Sequence, residues 1–245
     1  MMEAGKRIEI IELTVKSSEN IFTFNPVLLI DEESVLLIDA GMPFQSEEIL
    51  QAFEKEGIPF SKLKTIIFTH QDLDHIGGAP SILNKGDGSI QVLAHALDKP
   101  YIEGDKTLIK ADLSKISDEK KRSLPKQMIS LYENLPKVKI DKTVEDREKL
   151  DFFGGMEVIH TPGHTPGHIS LYLEKTKTLI AGDAMVILDG ILRGPIDENT
   201  PNMKEAIGSL EKMLDYDIEQ VICYHGGLFR GSPHETIKNL LEQNK

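Results

Sequence analysis

Apolar residues gather in short runs along this chain, each bounded by charged or turn-forming residues. Ile8-Glu9-Ile10-Ile11-Glu12-Leu13 reads as a strand with imperfect alternation. Pro26-Val27-Leu28-Leu29-Ile30 and Ser34-Val35-Leu36-Leu37-Ile38 flank Asp31-Glu32-Glu33, which is a hairpin signal. Asp39-Ala40-Gly41 then turns the chain toward a helix over residues 46–55, with Ile49, Leu50 and Phe53 on one side. Lys64-Thr65-Ile66-Ile67-Phe68 is a further β-like run. Gly77-Gly78 permits a tight turn into a short helix through Leu83, and residues 91–94 form another strand. A second β-rich half holds strands at 156–160, 168–173 and 178–181, a helix at about 203–214, a strand at 220–224 and a closing helix at 236–241. Each half runs strands, then a polar loop, then a helix.

Between the halves, from about residue 97 to 146, the texture becomes charged and is interrupted by Pro100, Pro125 and Pro136. The best helical stretch is 117–134, where Met128, Leu131 and Tyr132 share a face. This region reads as an insertion packed beside one main body spanning residues 1–245. Its tyrosines, Tyr101 and Tyr132, are expected to support packing. No short-period repeat or low-complexity tract is visible.

Composition narrows the function classes. A chain of 245 residues that is 40% hydrophobic and 28% charged has the make-up of a soluble globular protein, with room for one layered α/β domain or two small ones. The net charge of -12 argues against a surface that tracks nucleic-acid phosphates. A lone cysteine, Cys223, excludes an intramolecular disulfide framework and an all-thiolate zinc site. Cys223 lies inside a strand pattern and reads as a small core residue. The first seven residues lack the apolar stretch of a secretory signal, and no apolar run is long enough to cross a bilayer. These features predict a cytoplasmic protein with neither a membrane nor a nucleic-acid partner.

The densest chemistry is Thr69-His70-Gln71-Asp72-Leu73-Asp74-His75-Ile76-Gly77-Gly78, directly after a β-like run. Imidazoles and carboxylates packed at a strand's end make a poor core and a good cation site. The bland alternative is a polar loop in which Asp72 or Asp74 caps the next helix. Three other strand ends repeat the pattern. Thr161-Pro162-Gly163-His164-Thr165-Pro166-Gly167-His168 is a turn stiffened by proline and glycine, Gly182-Asp183 supplies a carboxylate, and His225-Gly226-Gly227 another imidazole. Loops at strand ends of an α/β sheet converge on a common site.

These four motifs, in this order from Asp39-Ala40-Gly41 to His225, resemble those of the metallo-β-lactamase superfamily of metallohydrolases. The first loop resembles the family's His-x-His-x-Asp-His signature, and residues 161–168 its Thr-Pro-Gly-His-Thr-x-Gly-His loop. The resemblance implies an α/β fold of the four-layer αββα sandwich type. It implies a first divalent metal held by His70, Asp72 and His164, a second held by Asp74, His75 and His225, and Asp183 bridging them. It places Asp39 behind the site without touching metal, and His168 in a supporting position. His95, His160 and His234 read as structural or solvated.

Asp72 stands where the family usually has histidine. An extra anionic oxygen ligand neutralises a centre that would otherwise be positive and tilts preference toward harder ions, manganese or iron(II), with zinc still the leading expectation for the two divalent ions. The alternative is that Asp72 does not reach the metal, leaving the first site weak or empty. The implied reaction is metal-assisted hydrolysis of a small-molecule substrate, with Asp74 as the proton-handling catalytic residue. A bridging aspartate resembles the thioesterase (glyoxalase II) and lactonase branches, so a small ester, lactone or thioester is expected. The rival expectation is a metal-binding sensor or di-iron redox protein of the same fold, which would need a separate flavin partner.

Overall fold

The computed structural model describes residues 6–16, 21–115 and 117–244. Part of the leaderless N-terminus expected above, residues 1–5, lies outside them.

Twelve of the strands form two six-stranded sheets. The first runs Arg7–Ile10, Val27–Ile30, Val35–Ile38, Leu63–Ile67, Gln91–His95 and Lys142–Val144 in spatial order. Its first three strands are antiparallel neighbours, and the later pairings are parallel. The second sheet runs Gly227–Phe229, Gln220–Cys223, Thr178–Gly182, Ile169–Leu173, Met156–His160 and Lys149–Leu150. Its only parallel pair is Thr178–Gly182 with Gln220–Cys223.

Strand alternation explains how the layers stack. In Val27–Ile30 and Val35–Ile38, Val27, Leu29, Leu36 and Ile38 face the second sheet, meeting Val158, Leu171, Ile180 and Ile222. Leu28, Ile30, Val35 and Leu37 face the other way, onto Ile49 and Phe53 of the Ser46–Lys55 helix. Ile49 and Phe53 lie four residues apart, one turn along a single helix face. The second sheet's outer face carries Tyr172, Leu179, Val221 and Cys223 against Leu210, Met213 and Ile237. Three apolar layers thus separate helix, sheet, sheet and helix. Strands buried on both faces read as unbroken apolar runs, which is why the sequence signal was strong there.

Three expected elements differ in detail. The single strand at residues 8–13 is two, Arg7–Ile10 in the first sheet and Leu13–Lys16 in a hairpin with Ile21–Phe24. The break follows Ile11, whose amide makes the last in-register bond, to Pro26 O, because Pro26 has no N–H to return it. The helix expected over 117–134 is broken into Asp118–Ser123 and Lys126–Glu133, because Pro125 lacks an amide donor and disfavours helix at Leu124. The helix from Met203 ends at Ser209 and tightens into a 3-10 segment, Leu210–Asp215.

Within residues 97–146, Ile102, Leu108, Ala111, Val138 and Ile140 are buried in the first sheet's outer core, with Tyr101, Leu131 and Tyr132 packed against it. Lys142–Val144 is that sheet's edge strand. Among the described residues no helix is long and apolar enough to cross a membrane.

Candidate metal centre

The polar loops all leave the carboxyl ends of strands and meet along one edge of the sandwich, where Ile169 N–H bonds across to Thr69 O. Asp39 follows Val35–Ile38 and adopts φ +61°, a left-handed conformation that aspartate tolerates better than most residues. From there its carboxylate accepts Thr69 N–H and Thr69 Oγ1–H, each at 2.8 Å, and faces His75 Nδ1 at 2.9 Å. The carboxylate needs a donor, so the His75 proton sits on Nδ1 and the bare Nε2 points into the site. Thr69 Oγ1, having donated to Asp39, accepts from His70 Nδ1 at 3.1 Å and leaves His70 Nε2 bare as well.

Asp72 occupies the position before the Leu73–Ile76 helical turn but makes no capping hydrogen bond. Its carboxylate turns inward, with Oδ2 3.2 Å from His70 Nε2 and 3.1 Å from His164 Nε2. The capping alternative is therefore excluded for Asp72. His164 is set by Thr200, whose hydroxyl donates to Ile196 O at 2.7 Å and faces His164 Nδ1 at 3.2 Å.

Asp183 stands between two groups of side chains. Its Oδ2 is 3.3 Å from His164 Nε2 and 3.3 Å from His225 Nε2, while Oδ1 is 3.3 Å from His75 Nε2. Asp74 Oδ2 lies 3.7 Å from His75 Nε2 and 3.5 Å from His225 Nε2. The potential ligand atoms of His70, Asp72, His164 and Asp183 fall within 4.8 Å of one another, as do those of Asp74, His75 and His225. All seven residues singled out by sequence are thus brought together.

His168 turns away: its Nε2 accepts Asp183 N–H at 3.0 Å and its Nδ1 faces Thr161 Oγ1 at 2.8 Å, so it props the Asp183 backbone. Gly182, at φ +54°, leaves no room for a β-carbon, which would sit 2.8 Å from His168 Nε2. His95 stacks on His160 with centroids 4.1 Å apart, His160 Nε2 donates to Pro166 O, and His234 Nε2 to Tyr216 O. None of the three enters the cluster.

The donor set fits a cation. His70 Nε2, Asp72 Oδ1, His75 Nε2 and Asp183 Oδ1 are buried without a hydrogen-bond partner among the described residues. Each such atom costs about 1–3 kcal/mol unless something satisfies it. Imidazole nitrogens and carboxylate oxygens without thiolate suit zinc, manganese or iron.

Electrostatics bear the same stamp. Burial, helped by the neighbouring His75, lowers His70 to about 3. Burial alone would also lower His225, but Asp183 and Asp74 raise it to about 9. Burial would raise Asp72, yet Lys110 and His70 hold it well below the usual carboxylate range. Burial raises Asp74, against the pull of His75 and His225.

Beyond Asp39 and His168, sequence reasoning missed several supports. Asp98, fully buried, accepts Gln71 N–H (3.0 Å), Gln71 Nε2–H (3.1 Å), Thr165 Oγ1–H (2.7 Å) and Gly167 N–H (2.8 Å), tying the first loop to the second. Tyr224 lays its ring 3.7 Å from that of His75 and donates its hydroxyl to Asp74 O. Lys110, from the region between the halves, sets its ammonium on Asp72 Oδ2 and His164 Nε2. Tyr224 adjoins His225 and could have been suspected; Asp98, Thr200 and Lys110 carried no local signal.

Comparison with known proteins agrees with this geometry. The model of the Metallo-beta-lactamase superfamily matches residues 22–225. "Probable metallo-hydrolase YflN" of Bacillus subtilis (strain 168) is 32% identical over 213 residues, covering 80% of this chain and 76% of that protein. "Hydroxyacylglutathione hydrolase GloC" of Haemophilus influenzae is 30% identical over 163 residues, 63% of each. In structure, the metallo-beta-lactamase family protein TTHA1429 from Thermus thermophilus superposes with a TM-score of 0.72 at 21% identity, over 96% of this chain and 78% of that one. The stacked-sheet fold is therefore shared, and this chain belongs to the metallo-β-lactamase superfamily.

Proposed function

We propose that the chain is a metal-dependent hydrolase working with two divalent ions on a small ester, lactone or thioester. His70, Asp72 and His164 would hold one ion and Asp74, His75 and His225 the other, with Asp183 shared. The observation that carries this reading is Asp183, whose carboxylate lies 3.3 Å from His164 of the first group and 3.3 Å from both His75 and His225 of the second. Bound divalent ions supply Lewis acidity, which makes water reactive and polarises an acyl oxygen.

The chain's own residues do the rest. Asp74 has a side chain 24% exposed, against 9% for Asp72 and Asp183, so it is the carboxylate of the cluster most open to solvent. From there it orients the attacking water and passes a proton to the leaving group. Asp39 and Thr69 fix the imidazoles, and Tyr224 fixes the backbone of Asp74.

Two hairpins adjoining His225 supply an apolar margin for an acyl group. Phe24 packs edge-on against the His225 ring at 5.5 Å, and Phe22, on the same strand face, is 50% exposed. Ile187 N–H bonds to His225 O, on a hairpin that exposes Leu188 and Ile191. The similarity to a hydroxyacylglutathione hydrolase supports an acyl thioester or ester.

The test is elemental analysis of purified protein, then a hydrolysis screen of lactones, thioesters, oxygen esters and phosphodiesters with zinc, manganese or iron(II) restored. Turnover of one acyl class, lost on chelation, is expected. Redox-active iron with no hydrolysis in any class would overturn the reading.

A further inference from the structure

Lys110 reaches the cluster from a turn that is built to hold it. The residues around it, Leu108 and Ala111, are 2% and 3% exposed, sunk in the first sheet's outer core. The preceding amide, Ile109 N–H, donates to Gln71 Oε1 at 2.9 Å. Gln71 is itself fully buried and clamped by Asp98 through both its backbone and side-chain nitrogens. The loop that presents His70 and Asp72 therefore also sets where Lys110 starts.

The ammonium meets two atoms, Asp72 Oδ2 and His164 Nε2. Because Thr200 Oγ1 spends its proton on Ile196 O, it takes the His164 proton at Nδ1, and Nε2 offers one lone pair. A metal ion needs that same lone pair. An ammonium and a metal cannot both occupy it, so an ion binding beside His164 must first displace Lys110. The other group lacks such a competitor: among the described residues Asp74 and Asp183 form ion pairs with histidines alone.

We infer that Lys110 is a tethered cation that competes with metal for Asp72 and His164, so that the two groups fill in order. The Asp74, His75 and His225 group with Asp183 loads first. The His70, Asp72 and His164 group loads only once the ammonium has swung aside. Asp72 and Lys110 belong together in this account: the aspartate that replaces the family's histidine provides the anion that draws the lysine in. The inference rests on the two-ion reading above and concerns the order in which the ions enter.

The experiment is titration of chelator-stripped protein with Zn2+ alone, and separately with Mn2+ alone, counting bound metal per chain by elemental analysis. Wild type is expected to fill in two separated steps. Lys110→Met should lower the midpoint of the second step by about 10- to 100-fold, the gain expected when a site open about 1–10% of the time becomes always open. Lys110→Arg, keeping the charge, should leave the steps apart. A single step with two ions in wild type overturns the inference whatever the variants do. So does a Met variant whose second midpoint is unchanged; if its KM alone rises, Lys110 serves the substrate. Because no substrate enters the titration, a failed hydrolysis screen defeats the proposed function and leaves this result standing, while one-step filling does the reverse.

Discussion

Asp39 and His75 lie 36 positions apart, yet their side chains meet at 2.9 Å and decide which imidazole nitrogen faces the cluster. The pair joins the end of one strand to the helical turn after the next. Thr69 completes it by donating twice to the same carboxylate and receiving the His70 proton. Removing the Asp39 carboxylate should therefore misorient two imidazoles, His75 directly and His70 through Thr69. Asp39→Ala is expected to weaken metal binding about 10- to 100-fold, measured by competition with a chelator. Wild-type affinity in that variant would show that the tautomers are set some other way.

Asp183 is the residue both groups share. On the two-ion reading, Asp183→Ala should abolish hydrolysis and lower metal per chain, since one side chain would serve both ions. Near-normal turnover would remove the bridging assignment.

At Asp72 the expected direction concerns metal choice. Asp72→His replaces an anionic oxygen by a neutral nitrogen and removes the partner of Lys110. Competition between manganese and zinc should move toward zinc. An unaltered ratio would take Asp72 out of the ligand set.

Asp98 offers a test of stability apart from chemistry. Asp98→Ala strands Gln71 N–H, Gly167 N–H and the Thr165 hydroxyl in a buried place. Chemical denaturation of the metal-free protein should show a loss of about 3 kcal/mol. A change below about 0.5 kcal/mol, the range of ordinary surface substitutions, would mean that the network carries no weight.

The stacked pair His95 and His160 predicts a pH effect. Burial, then the neighbouring His160, lowers His95 to about 4. Asp146 opposes this and Lys212 adds to it. The folded pKa is below the unfolded value of 6.5, so the unfolded chain binds more protons between the two. The stability linked to His95 is whole above pH 6.5 and drains away as pH falls through 4. His95→Gln should flatten that part of the stability curve. Parallel curves for the two proteins from pH 6.5 to 4 would reject the assignment.

Much of this architecture was legible because buried strands write themselves as apolar runs, as at Val27–Ile30 and Val35–Ile38, and because each ligand follows such a run. His70, Asp72, Asp74 and His75 crowd one loop, and chance rarely does that. Supports were hidden for a physical reason. Asp98 bonds to Thr165, 67 positions on, and Lys110 reaches Asp72 and His164 across 38 and 54 positions. A carboxylate or ammonium that acts through long-range contacts looks in sequence like any solvated charge. Boundaries failed where a proline's missing amide donor ended an element, as at Pro26 and Pro125.

The hydroxyl of Tyr224 holding the Asp74 carbonyl spans 150 positions, and His225 follows a strand that pairs in parallel with the one leading to Asp183. On the two-ion reading, a fragment that stops short of this strand lacks both His225 and the Tyr224 brace on Asp74, so it should hold less metal than the intact chain. An ion held there would tie both sheets together, and stripping it should loosen the molecule as a whole rather than fray one corner.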